Sequence, residues 1–437
     1  MVSANDVKGI LAKHMNVADG FEQIIDLEKS EGCWFIDKRN GDKYLDLGSM
    51  FACMAVGYNH PKLLGIKDKL GRAAIQKPAN SDFYTEEMAE FLVTFSRIAV
   101  PNYLPHAFFI EGGALAVENA LKVAFDWKIR KNFHKGETSE VGSKVIHFKQ
   151  AFHGRTGYTL SLTNTHDPNK TKYFPKFDWP RIINPKVEYP LNEERLAKVT
   201  MLERQATQQI KEVITKDGMD IAALIIEPIQ GEGGDNHFRK EFIQQLRGIC
   251  SESEIILIFD EVQTGVGLTG RFWAYEHYDV EPDIICIGKK AQIGGILAGR
   301  RIDEIENNVF QEPRRLNSTW GGNLVDMVRF THILRIIAEE NLVENARVQG
   351  ERLLSGLRQL SEEFPHLVSN ARGKGLMCAI DLPAEEKRNL FRNKMMSEKV
   401  MIMGCGEKSI RFRPHLIVTE EEIKYGIEVV KKVLKSM

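Results

Sequence analysis

Short, continuously apolar runs recur along the middle of the chain, separated by stretches whose apolar residues return every three or four positions. The runs Ala222–Ile226, Ile255–Phe259 and Ile284–Ile287 are too short for helices and apolar on both faces, the pattern of strands buried on two sides. Between the first two, Phe242–Cys250 carries helical spacing. The alternation predicts an α/β fold with a mostly parallel sheet covered by helices. Near the C-terminus, Thr419-Glu420-Glu421-Glu422 precedes Ile423, Ile427, Val430 and Leu434, a capping box opening an amphipathic helix on a small α+β unit. The segment Lys131–Lys144, rich in Lys, Glu, Gly and Ser, reads as a surface loop.

At 437 residues the chain exceeds what one hydrophobic core supports, so a large domain with a smaller one is expected. A formal net charge of -1 supplies no basic field for nucleic acid or an anionic membrane, which points to small-molecule partners. Asp6, Lys8 and Lys13 interrupt the N-terminal stretch, so it lacks the apolar core of a signal peptide, and no later run is long enough to span a bilayer. Cys33, Cys53, Cys250, Cys286, Cys378 and Cys405 are dispersed without a C-x-x-C pair, as expected of reduced, mostly buried thiols in a cytoplasmic protein.

In open parallel sheets ligands bind beyond the carboxyl ends of the strands, so the residues following each run carry the candidate chemistry. The first run leads into Glu227-Pro228-Ile229-Gln230-Gly231-Glu232-Gly233-Gly234, the second into Asp260-Glu261-Val262-Gln263-Thr264-Gly265, and the third into Gly288-Lys289-Lys290. An acid at the rim of a buried strand needs a cationic partner or costs roughly several kcal/mol. A carboxylate and a partly desolvated amine facing one cleft suit pyridoxal 5'-phosphate (PLP). That cofactor needs an amine for its imine, an anion to keep the pyridine nitrogen protonated, and a phosphate cradle. Glu111-Gly112-Gly113-Ala114 precedes a helical pattern (Val117, Leu121, Ala124, Trp127) and offers the cradle at a helix N-terminus.

Taken singly, each residue has a blander reading. Lys289 would be a solvated lysine at a loop start, Phe152 in Ala151-Phe152-His153-Gly154-Arg155 a core aromatic, and Arg155 a surface charge. Spacing alone leaves Lys289 and Lys290 both open as the reactive amine. Gly265-Val266-Gly267-Leu268-Thr269-Gly270 satisfies G-x-G-x-x-G, which would suit an NAD-dependent oxidoreductase. Five residues separate it from the strand, however, and Arg271-Phe272-Trp273 does not open a helix. The twelve histidines show no H-E-x-x-H or paired-ligand spacing, so no metal site is expected. A non-enzymatic binding protein on the same scaffold would lack an imine absorbance that borohydride abolishes.

Glu227–Glu232, Asp260–Gly265 and Pro282-Asp283-Ile284 through Gly288-Lys289, in that order, resemble the successive signatures of class III aminotransferases, and the likeness covers nearly the whole chain. The resemblance implies the PLP-dependent transferase fold type I. A large PLP-binding domain would span 65–330 with a mostly parallel central sheet, and a smaller α+β domain would combine 1–64 with 331–437. By motif, Lys289 would form the Schiff base with PLP, Asp260 would pair with the pyridine nitrogen, Gln263 would lie near the ring hydroxyl and the substrate, and Phe152 would stack on the ring beside His153. Gly113 and Ala114 would hold the phosphate, joined by Thr319 from a neighbouring subunit of a homodimer with shared active sites. Arg155 and Arg411 would bind substrate carboxylates, with Glu232 pairing with Arg411 or releasing it.

The register of these signatures favours Lys289 over Lys290, which should point away across the strand end. Glu111–Lys128, Phe174–Arg181 and Leu316–Asn323 most resemble the members that act on lysine, and Phe51 stands where ornithine-specific members carry a tyrosine. The implied reaction moves the terminal amino group of L-lysine to 2-oxoglutarate, giving 2-aminoadipate 6-semialdehyde and L-glutamate. Ornithine and 4-aminobutyrate are the alternative donors. Two departures from the family pattern are the long stretch Lys289–Gly295 and His415 after Pro414, where a second proline is common.

Overall fold

A computed structural model describes residues 2–17 and 20–437. The apolar runs become the centre of a seven-stranded sheet made of β1 (His106–Ile110), β2 (Lys144–Phe148), β3 (Arg181–Ile182), β4 (Ile221–Ile226), β5 (Ile256–Asp260), β6 (Ile284–Ile287) and β7 (Gly294–Ala298). Its spatial order is β1-β7-β6-β5-β4-β2-β3. β7 runs antiparallel to both its neighbours, while β6, β5, β4, β2 and β3 pair in parallel. Every residue of β4, β5, β6 and β7 is buried.

Burial on both faces follows from period-two alternation within the apolar runs. Leu224, Ile226, Leu257, Phe259, Ile285 and Ile287 join one core cluster, and Ala223, Ile225, Ile256, Ile258, Ile284 and Cys286 the other. Helix α1 (Gly113–His134) covers the second face with Val117, Leu121, Ala124 and Trp127 fully buried. It runs further than the polar composition suggested, leaving only 135–143 as the loop. Asn132 is buried and donates to the carbonyls of Val141 (2.7 Å) and Met219 (2.8 Å), so the last turn packs against the fold rather than dissolving into solvent.

The C-terminal third forms a four-stranded antiparallel sheet from Ser369–Lys374, Met377–Asp381, Met403–Cys405 and Ser409–Phe412. A three-stranded sheet joins Trp34–Ile36 and Lys43–Asp46 to Val400–Met401, tying the two ends of the chain together. The helix Glu420–Lys435 opens with the capping box of Thr419 and Glu422. Glu422 also accepts a 2.7 Å hydrogen bond from the Trp34 indole. All six cysteines are free and all but Cys53 are buried. Among the described residues no helix is long and apolar enough to cross a membrane.

Candidate active site

Parallel pairing brings the carboxyl ends of β4, β5 and β6 to one edge, with Cys286 opposite Asp260. Asp260, only 5% exposed, accepts from the His153 Nδ1 (2.8 Å) through one oxygen and from the Val262 amide (3.1 Å) through the other. Two contacts leave lone pairs on the carboxylate free, and His153 Nε2 and Gln263 Oε1 are buried without partners among the described residues. A buried carboxylate with free lone pairs at this rim is what a polar heterocycle would satisfy.

The helix start meets this rim. A Cβ on Gly113 would stand 2.6 Å from Val262 Cγ1, and one on Gly288 would stand 3.1 Å from the same methyl. The loops after β5 and β6 therefore close directly on the N-terminus of α1. Gly154 (φ 129°) packs against Ala114, bringing in the His153 loop. Gly112 (φ 87°) caps α1 without a side-chain hydrogen bond, and a Cβ there would meet nothing within 4 Å. Open space beside uncapped amides fits a phosphate group.

Lys289 follows Gly288 in a left-handed conformation (φ 50°) that separates its side chain from that of Lys290. Burial first, then the Arg411 guanidinium, pushes its amine down from 10.5 to about 8. Lys290 is fully buried and donates to the Ala52 carbonyl at 3.2 Å. Gln292 Nε2 donates to the Cys53 carbonyl at 2.9 Å. Together they hold the turn Ser49–Ala52, whose four residues all have positive φ and which presents Phe51, half exposed, 6.5 Å from the Phe21 ring. His415, at the second family departure, also braces this region, because its ring nitrogens meet the Met54 carbonyl (3.0 Å) and Asp46 Oδ2 (3.2 Å).

Glu232 sits between two cations. One oxygen accepts from Lys170 Nζ (2.5 Å) and the other lies 2.9 Å from Arg411 Nη2. Burial pushes the Glu232 carboxyl up, but Arg411 and Lys170 hold it below the usual range. Arg411, 4% exposed, keeps Nε and Nη1 buried and unpartnered among the described residues. Such a guanidinium is poised for a second carboxylate.

The structure thus gathers Lys289, Asp260, His153, Gln263, Gly113, Ala114, Phe152, Glu232 and Arg411 around one cleft. Neither Arg155 nor Thr319 makes a side-chain hydrogen bond or ion pair to these residues among the described residues. Arg155 is exposed with no ion pair among the described residues, and Thr319 is exposed, its carbonyl accepting from Ser81 Oγ at 3.0 Å. Two contributors were given no role from the sequence. Glu227 accepts from the Phe152 amide (3.0 Å) and the Gly231 amide (2.9 Å), clamping two site loops together. The signal for it was the same acid-at-a-strand-end that marks Asp260. Lys170 had no local signal.

The profile of a family described as aminotransferase class-III matches residues 16–434. L-lysine-epsilon aminotransferase of Mycobacterium tuberculosis is 47% identical over 431 residues, covering 98% of this chain and 95% of that protein. The enzyme of the same description from Amycolatopsis lactamdurans is 46% identical, covering 99% and 96%. The solved structure of lysine aminotransferase from M. tuberculosis in the internal aldimine form superposes with a TM-score of 0.97 at 46% identity, covering 100% of both chains.

Proposed function

Because the chain belongs to the class-III aminotransferases, whose cofactor is PLP, we propose that it moves the terminal amino group of L-lysine to 2-oxoglutarate, yielding 2-aminoadipate 6-semialdehyde and L-glutamate. The observation that carries this reading is the convergence of Lys289, the Asp260–His153 pair and the open N-terminus of α1 on one rim. The identity with lysine-specific enzymes supports lysine as donor.

Bound PLP supplies an aldehyde for amines and, with its ring nitrogen protonated, an electron sink. Lys289 would hold the aldehyde and then, released by the incoming amine, move a proton from the substrate carbon through Nζ. An amine near 8 has a usable free-base fraction at neutral pH, which this role requires. Asp260, oriented by His153 and the Val262 amide, would hold the proton on the ring nitrogen. Phe152 would cover one ring face and Gln263 the oxygen-bearing edge, excluding water from the reacting atoms. Gly112, Gly113 and Ala114 would seat the phosphate.

Lysine must bind with its α-carboxylate far from the reacting amine, whereas 2-oxoglutarate needs a carboxylate close to it. Glu232 closed on Arg411 suits the donor, and Arg411 freed for the diacid suits the acceptor.

The same reading divides the chain into a PLP-binding domain at 65–330, which contains the whole seven-stranded sheet, and a small domain from 1–64 with 331–437. It also makes the enzyme a cytoplasmic homodimer, in keeping with six free thiols and with exposed Ile75, Phe83, Tyr84 and Trp320. These apolar side chains lie on adjoining segments, since Lys77 sits 3.6 Å from the Trp320 ring centroid. Thr319 and Arg155, exposed in a single chain, would then be completed or covered by the partner.

The test is a donor panel of L-lysine, L-ornithine, 4-aminobutyrate and acetylornithine with 2-oxoglutarate, together with borohydride reduction and peptide mapping. Lysine is expected to give the highest kcat/KM, though a single methylene difference limits its advantage over ornithine to about 10–200-fold. The reduced cofactor should map to Lys289. A better rate with 4-aminobutyrate, or the adduct on Lys290, overturns the reading.

A further inference from the structure

Releasing Arg411 to an incoming diacid requires Glu232 to go somewhere. A carboxylate leaving its cation in a mostly buried site keeps the cost of desolvation unless another cation retains it. Two observations answer this. Lys170 Nζ already contacts the Glu232 oxygen that Arg411 does not use, at 2.5 Å, while Arg411 holds the other at 2.9 Å. A cavity of about 710 Å³ opens beside them, with Lys170 and Glu232 in its wall together with Phe21, Arg388, Arg392 and Cys405, so the carboxylate has room to move.

We propose that Lys170 is a positioning residue for the acceptor half of the reaction: it is the counter-ion that keeps Glu232 paired when Glu232 leaves Arg411. The proposal rests on the reading of Glu232 and Arg411 as a pair that opens for the diacid.

The placement of Lys170 suits that role. It ends a short helical turn, Pro168–Lys170, that Asp167 caps by accepting from the Asn169 amide (2.9 Å). Its side chain is only 16% exposed, and its ammonium lies 5.9 Å from the Phe152 ring centroid, at the edge of the expected cofactor platform. Arg411 is fixed in β-structure (Ser409–Phe412), keeps Nε and Nη1 unpartnered among the described residues, and adds Nη2 once Glu232 departs. With Lys170 the opening gives up one of two ion pairs to Glu232 and keeps the other, and without it the opening strands a carboxylate.

The experiment uses the holoenzyme and follows each half-reaction separately by stopped-flow absorbance. Lys170→Met should lower the apparent second-order rate constant with L-glutamate by about tenfold or more, change that with L-lysine by less than about threefold, and Lys170→Arg should restore the former. Glutarate, a diacid with no reacting group, should bind about tenfold more weakly to Lys170→Met by calorimetry. In a Glu232→Ala background, Lys170→Met should have no further effect on the glutamate half-reaction.

Equal losses in both half-reactions, or a loss confined to lysine, overturn the proposal, the latter because Lys170 would then hold the donor itself. If Glu232→Ala affects the two half-reactions unequally but the two substitutions are additive, Lys170 falls and the opening pair stands. If Glu232→Ala alone changes both equally, the opening pair falls and Lys170 with it.

Discussion

An amine titrating near 8 at Lys289 has a direct chemical readout in the enzyme stripped of cofactor. At pH 7 an amine titrating at 10.5 is about 0.03% free base and one titrating at about 8 is about 9%, roughly 300-fold more. Trace acetylation of the apoenzyme between pH 6 and pH 10, with peptide mass spectrometry and the exposed lysines as internal standards, should show Lys289 reacting with a midpoint near 8. Burial is the largest cause and Arg411 the next, so Arg411→Met should move that midpoint upward, because removing a cation favours the protonated amine.

The same displacement has a consequence for stability. The unfolded chain binds the proton more tightly than the folded one between about 8 and 10.5, so on this account stability rises with pH across that window. The gap between the two values, at about 1.36 kcal/mol for each tenfold change, amounts to about 3 kcal/mol of destabilisation below pH 8. Lys289→Met should therefore stabilise the apoenzyme near neutral pH by up to about 3 kcal/mol, with the advantage closing above about pH 10. Lys289 acetylating in step with the surface lysines, or a Lys289→Met advantage over the wild type no larger at pH 7 than at pH 10, refutes the reasoning.

Gly113→Ala places a methyl against Val262, so cofactor affinity measured by absorbance titration should fall by about tenfold, and Val262→Ala in the same chain should recover most of it. Asp260→Asn removes the charge that His153 orients, and kcat should drop by at least about a hundredfold while the chain still binds PLP; a smaller loss would show that the ring nitrogen needs no anion. Burial first, then Asp260, raises the Glu227 carboxyl to about 7 against His153 and the Phe152 and Gly231 amides. Its folded value lies above the unfolded one, so its contribution to stability is present below about pH 4.5 and lost as pH rises to about 7, and Glu227→Gln should flatten the thermal midpoint over that range. Phe83→Lys with Tyr84→Lys should shift sedimentation from dimer to monomer, and an unchanged species would place the subunit contact elsewhere.

Much of the site was legible because its chemistry lies at the ends of the most strongly patterned elements. Asp260, Glu232 and Lys289 follow runs whose lack of polar residues identifies buried strands, and Gly113 opens a helix whose periodicity is plain. The rest depends on contacts that no local window contains. Lys170 meets Glu232 from 62 positions away, and Lys290 meets Ala52 from 238. Neither pairing has a periodicity, a cap or a turn chemistry to announce it. The helix Gly113–His134 reaches into the polar stretch 131–144 for the same reason, since Asn132 is polar yet uses its donors inside the fold.

The linear chain alone determined the α/β class, the strand ends that bear chemistry and the family, because alternation, capping and short motifs are properties of neighbours along the backbone. Tertiary structure decided which of two adjacent lysines faces Arg411 and Glu232, which arginine keeps both Nε and Nη1 unpartnered, and which cation shares Glu232. Those outcomes follow from how parallel strands bring distant loops to one edge, where burial and charge at a few ångströms set what each side chain can do.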